Sequence, residues 1–304
     1  MSDHCVDSQE TFLPEKLAIC VTFHFSQNRL AYLTQAGARF HKLARQVSLH
    51  VVTNTDRPED IAAIRACFPD IHAEIVVPGH LGHPFLLTWI HRRVLGDIHA
   101  SDPNVSHFLY LEDDLKITEA NILYWLRWEP VLSRFGLYPS FFRFEHNQQG
   151  HRVCTDATRS ENISLLPHVR VSEHAAFVNA PNPYQGLYLF DRTRFGEFIS
   201  SDAASPDFGS WKIREKATQG LTFFNVPTGC RSRNFVLWDN HHGIDGGALI
   251  HHLPNNYAKN PTTKFGTIRV EDVFYERKLG MRDFLSRRTV KKVLRSRELM
   301  KERV

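Results

Sequence analysis

Between residues 17 and 114 the hydrophobic period switches repeatedly between that of a strand and that of a helix. No other feature narrows the available folds so far. Residues 17–25 (LAICVTFHF) are a β-branched apolar run, which predicts a strand buried on both faces. Residues 28–46 carry Leu30, Leu33, Ala36, Phe40 and Leu43, mostly at helical spacing, and residues 47–53 (VSLHVVT) read as a second strand. Asp56 is the expected cap of a helix with Glu59 and Asp60 in its first turn and Ile61, Ile64 and Phe68 on its apolar face. Residues 73–77 (AEIVV) give a third strand, ended by Pro78-Gly79, and a helix follows over residues 84–99. The fourth strand, residues 107–111 (HFLYL), runs straight into Glu112-Asp113-Asp114. Strands and helices at such short intervals imply βαβ units. The expected class is α/β, with a mostly parallel open sheet and helices on both faces.

The second half is less regular. Thr118 is the expected cap of a helix reaching Trp128, with Pro130 interrupting it. Strands are expected at residues 140–144, 187–190 and 221–226, and helices at 211–219 and from the cap Asp191 to Ile199. Residues 150–183 are polar and turn-rich and read as a long functional loop. The expected organisation is a polar segment (1–16), a catalytic domain (17–270, halved at 115/116) and a basic helical tail (271–304). No G-x-G-x-x-G follows the first strand and no G-x-x-x-x-G-K-[ST] occurs, which argues against dinucleotide oxidoreductases and P-loop NTPases. The five cysteines form no C-x-x-C. Residues 282–304 hold nine Arg/Lys against three Asp/Glu, so the tail has a net charge of +6 and the rest of the chain is about −2. A nucleic-acid partner is therefore not expected, whereas contact between the tail and an anionic membrane surface is. The polar start and the lack of an apolar run of roughly 20 residues lead us to expect a soluble cytoplasmic protein, at the inner face of the membrane if the tail binds lipid.

The acidic triplet carries the sharpest chemistry. It stands at the carboxyl end of a buried strand, the edge where open parallel sheets bind ligands. In an extended chain Glu112 and Asp114 point the same way. Adjacent carboxylates repel unless a cation or donors lie between them, and oxygen ligands of this kind suit Mn²⁺ or Mg²⁺. The plainer alternative is a turn that caps the next helix, a task Thr118 already fills.

Short βα units ending in an acidic triplet resemble the GT-A glycosyltransferases, over roughly residues 17–260. Those enzymes hold a divalent metal on a nucleotide-sugar diphosphate through a D-x-D-type motif, which Glu112-Asp113-Asp114 matches with Glu in first place. The resemblance implies a nucleotide-sugar donor, a glycan or lipid-linked acceptor and a divalent metal (Mn²⁺ or Mg²⁺) held by Glu112 and Asp114, with Asp113 at the donor. It implies a closing His after the last strand, which is His252 or its neighbour His251. Thr22, His24 and Arg29 after the first strand, and Asn54 and Asp56 after the second, fall where the family holds base and ribose. The family's acidic base, followed by Arg and Gly, matches Asp207, Arg214 and Gly220, although Phe208 stands where a second acid is usual.

Other positions are read from the residues alone. Arg92, with His91 and Arg93, could reach phosphate from the helix before the triplet, and Gly186 could let backbone approach the donor sugar. Arg143 and Glu145 share one strand face and could touch the acceptor. Trp211 and Trp238 are candidate sugar platforms, although core packing is the commoner role for each alone. Two other classes stay open. A metal-dependent hydrolase would use Asp239, His241, His242, Asp245 and the later histidines. A non-catalytic nucleotide- or carbohydrate-binding module would bind without turnover.

Overall fold

The computed structural model describes residues 10–279. The basic tail from residue 280 on lies outside the described residues, as do residues 1–9. The expected alternation forms a central sheet from β1 (Lys16–Phe23), β2 (Gln46–Thr53), β3 (Ala73–Val76) and β4 (His107–Glu112). The spatial order is β4-β1-β2-β3, all parallel, with Leu187–Asp191 added antiparallel at the β4 edge. Register pairs Thr22 with Glu112 and Phe23 with Thr53, so the carboxyl ends of β1, β2 and β4 lie side by side.

Residues 17–21 and Phe23 of β1 are apolar because both faces are covered. Leu17, Ile19, Val21 and Phe23 pack with Leu33 and Ala36 of α1 (Leu30–Gly37), Ile64 of α2 (Pro58–Ala66) and Trp125 of α4 (Glu119–Ser133). Ala18 and Cys20 pack on the other side with Leu95 of α3 (Ile90–Ser101) and Phe195 and Phe198 of α5 (Arg192–Ile199). The chain is thus α/β, but its second half is mixed rather than mostly parallel. After the triplet a two-residue strand, β5 (Leu115–Lys116), leaves the central sheet and pairs antiparallel with Leu249–His252. Leu249–His252 in turn runs parallel to Phe142–His146, which pairs antiparallel with Arg152–Cys154. The acidic triplet is therefore the point where the chain passes from one sheet to the next.

Several local expectations are corrected. Helix α4 continues through Pro130 to Ser133, because the buried Trp125, Trp128 and Leu132 hold its inner face. Asp56 does not cap α2. Arg57 occupies the cap position, and the Thr55 hydroxyl donates to Asp60 at 2.7 Å. The 84–99 segment begins as a 3-10 helix, Pro84–Trp89, before α3. Residues 221–226 form turns rather than a strand. Gly220 takes a positive φ of 51°, and the Thr222 hydroxyl bonds back to the Gln219 carbonyl. The expected helix at 211–219 shortens to α6 (Ile213–Ala217). The polar 150–183 stretch contains the strands Arg152–Cys154, His168–Arg170 and Ala175–Asn179, each too short to show periodicity. Asp191 does cap α5, its side chain accepting from the Arg194 amide. Among the described residues no helix is long and apolar enough to cross a membrane.

Candidate active site

A cleft of about 610 Å³ opens at the carboxyl ends of β1 and β4. Thr22, His24, Arg29, all three acids of the triplet and His252 line it. Asp113 and Asp114 turn together toward Arg29. The guanidinium donates to both Asp113 oxygens, at 2.8 and 2.7 Å, and to Asp114 Oδ2 at 2.9 Å. Glu112 diverges, its Oε1 accepting from the Tyr184 hydroxyl at 2.8 Å. Because the chain turns at Asp113, Glu112 and Asp114 do not share one extended face.

Pairing of β5 with Leu249–His252 sets His252 opposite Leu115, one residue after Asp114. His252 Nε2 lies 3.7 Å from Asp114 Oδ2, and its Nδ1 lies 2.6 Å from Glu145 Oε1. The other Glu145 oxygen accepts from the Ala258 amide at 2.6 Å. A carboxylate thus fixes the far nitrogen of an imidazole whose near nitrogen faces an acid, the support that metal-binding histidines receive. His251 points the other way and stacks on Phe144, so His252 is the member of the pair at the cleft.

The electrostatics follow from burial. Desolvation, with the charge of Asp114 nearby, pushes Glu112 up to about 7. Burial also raises Asp113 to about 6 against the pull of Arg29. Asp114 goes the other way: His252 and Arg29 outweigh burial and hold it at about 2. Burial would lower His252, but Asp114 and Glu145 raise it to about 9. In the cleft lining Arg143 is buried against Asp156, at 2.6 Å, with its guanidinium 4.6 Å from the Tyr184 ring centre.

These residues suit a divalent cation in one respect. Asp114 Oδ1 is buried and accepts no hydrogen bond, although its partner oxygen is held by Arg29. That orphaned atom is one oxygen donor. His252 Nε2 would add a nitrogen donor once a cation displaced the proton that Asp114 and Glu145 hold on the ring, and Glu112, tied to Tyr184, is less free. Among the described residues no set of three or more His, Cys, Asp or Glu could hold a metal ion. A cation here would take the rest of its shell from a bound phosphate and water, as Mg²⁺-type sites do.

The other expected residues fall elsewhere. Asn54 lines a smaller recess of about 350 Å³ with Pro78–Pro84 and Leu87, which shares His24 with the cleft. Its Oδ1 accepts from the Phe25 amide at 2.7 Å. Asp56 is exposed and lines neither cavity. Arg92 is turned from the cleft, its guanidinium donating to the Ala204 carbonyl, and His91 is buried in the core. Asp207 is exposed on a turn and lines no part of the cleft. Gly186, at φ 72°, abuts Glu112: a methyl there would stand 3.0 Å from Glu112 Oε2. Glu145 is turned onto His252 and does not line the cleft, whereas Arg143 lines it while paired with Asp156. Trp211 lines the cleft while Trp238 is buried elsewhere. Asp239, His241 and His242 line a separate surface recess, with His242 Nδ1 3.0 Å from Asp239 Oδ1, so the 239–252 cluster is not assembled with His252. Glu215, Asp156 and Tyr257 were not expected at or behind the cleft. No periodicity or spacing marks them, since each is brought in by chain reversal. No family model matches the chain, and no curated protein matches it in sequence.

Proposed function

We propose that the chain is a metal-assisted glycosyltransferase, moving a sugar from a nucleoside-diphosphate donor to a hydroxyl of a glycan or lipid-linked acceptor. One observation carries this reading. An orphaned carboxylate oxygen of Asp114 and a carboxylate-oriented His252 meet in a cleft at the carboxyl edge of parallel strands. Asp114 and His252 would hold the cation, which would supply positive charge to a diphosphate as it leaves. The protein's own residues do the rest. Arg29 neutralises Asp113 and Asp114, which would otherwise repel an anionic donor. Thr22 and His24, at the carboxyl end of β1, and the adjoining recess with Asn54 offer space for the nucleoside. Glu145 and Ala258 keep the imidazole from rotating.

The test is calorimetric titration of UDP- and GDP-sugars into wild type and Asp114→Asn, each with Mn²⁺ and with EDTA. The reading expects binding by wild type that weakens with EDTA, and a variant that EDTA no longer affects. Equal affinity in all four conditions removes the metal from the mechanism. Tight binding without sugar transfer to any hydroxyl acceptor supports a binding module instead.

A further inference from the structure

We infer that Glu215 is the group that takes the acceptor's proton, an assignment that rests on the glycosyltransferase reading. Four carboxylates line the cleft: Glu112, Asp113, Asp114 and Glu215. Asp113 is held on both oxygens by Arg29, Glu112 accepts from Tyr184, and Asp114 is bound to Arg29 and faces His252. Glu215 is different. Its Oε2 is buried and has no hydrogen-bond partner, while its Oε1 lies 3.7 Å from Arg214 Nη2. The side chain as a whole keeps 24% of its surface exposed. The enclosed Oε2 has no donor among the described residues and Oε1 has only the loose Arg214 pair, so this cleft-lining carboxylate is the one of the four not already held. An acceptor hydroxyl is the donor it lacks, reached by a turn of the partly exposed side chain.

The surroundings suit that role. Trp211 lines the same cleft, its ring nearly parallel to Tyr184 with centroids 6.3 Å apart, and 5.9 Å from Phe223. An aromatic face beside a carboxylate is how a sugar ring is held with a hydroxyl at the acid. The short helix carrying Glu215 is anchored at both ends. Trp89 Nε1 donates to the Ile213 carbonyl at 2.8 Å, and the Thr218 hydroxyl donates to the Glu215 carbonyl at 3.0 Å. Asp207, which the order of motifs favoured, sits on an exposed turn outside the cleft.

The step balances as follows. The acceptor hydroxyl proton passes to the Glu215 carboxylate as the acceptor oxygen bonds to the anomeric carbon. The bond from that carbon to the donor's phosphate oxygen breaks, and its electron pair leaves with the nucleoside diphosphate. Direct attack of this kind inverts the anomeric configuration.

The experiment uses the full chain with UDP- and GDP-sugars and a panel of free oligosaccharide acceptors. Glu215→Gln should lower kcat by about 10²-fold or more, with donor affinity by calorimetry within twofold of wild type. Glu215→Asp should be intermediate, Asp207→Asn should match wild type, and product analysis by NMR should show inversion. Failure of wild type to bind any nucleotide sugar overturns the parent reading and this assignment with it. Wild-type binding and turnover with Glu215→Gln within threefold of wild type overturns the assignment alone. So does a more than tenfold loss of donor affinity in that variant, or a retained anomeric configuration.

Discussion

Glu145 Oε1 stands 2.6 Å from His252 Nδ1, and the same carboxylate accepts from the Ala258 amide through its other oxygen. One buried acid thereby sets the direction in which the imidazole offers its second nitrogen to Asp114. Glu145→Gln replaces two acceptor oxygens by one oxygen and an NH₂ group. The amide can accept from only one of its two donors and turns its own N–H toward the other. We expect a stability loss of about 1–3 kcal/mol and, on the proposed reading, a 10- to 100-fold loss of Mn²⁺-dependent nucleotide affinity. Urea denaturation and calorimetry with UDP in Mn²⁺ read the two effects separately. Unchanged affinity would show that His252 does not need this support.

Gly186 sits where two demands meet. Its φ of 72° favours glycine, and a Cβ would come within 2.8 Å of Leu115 Cδ1 and 3.0 Å of Glu112 Oε2. Gly186→Ala should cost about 1–3 kcal/mol from backbone strain alone. The side chain of Glu112 must also shift, so its bond to Tyr184 should weaken. A thermal melt checks the first effect. A midpoint equal to wild type would mean that the turn relaxes to φ below zero.

How much of this was legible in the sequence depends on how each contact is made. The parallel sheet was, because a strand buried on both faces reads as a near-continuous apolar run, as β1 does over residues 17–21 and at Phe23. The acidic triplet was too, since three charges directly after such a run are conspicuous. His252 could be placed only by its order in the chain, and its partner Glu145 read instead as an acceptor contact. The bond from Arg29 to Asp113 joins residues 84 positions apart through a turn whose geometry leaves no periodic trace. Asp207 and Glu215 illustrate the remaining limit. Both are acids near one short helix, and only the turn over residues 205–212 decides that one faces solvent and the other the cleft.

Arg143 and Asp156 form a fully buried pair, joined side chain to side chain at 2.6 Å, with the Arg143 amide also donating to Asp156 Oδ2 at 2.7 Å. Removing one partner leaves an uncompensated buried charge, which costs about 3–5 kcal/mol. Asp156→Asn should therefore destabilise by that order in urea titrations. The double variant Arg143→Met/Asp156→Leu should recover a large part of the loss, since it removes both charges. A single variant costing under 1 kcal/mol would mean that water reaches the guanidinium.

His91 makes an acid-sensitivity prediction away from the cleft. It is fully buried, stacked on Tyr110 with ring centroids 3.8 Å apart, with Nδ1 directed at the Thr88 carbonyl and Nε2 unpartnered. Burial, aided by the nearby charge of Arg92, lowers its folded value from 6.5 to about 3. A base whose folded value is depressed is protonated first in the unfolded chain. Stability is therefore intact above about 6.5 and is lost as pH falls toward 3. Between pH 7 and pH 5 this one group should remove about 2 kcal/mol. His107, lowered to about 4 by burial against the opposing pull of Asp191, adds a loss of the same sign. His91→Phe keeps a ring in the stack and cannot take the proton. Urea titrations at pH 7, 6 and 5 should show a shallower fall in the variant than in wild type, even where its stability at pH 7 is lower through the lost bond to Thr88. Parallel slopes for the two proteins would mean that His91 is not the group whose protonation unfolds the chain in acid.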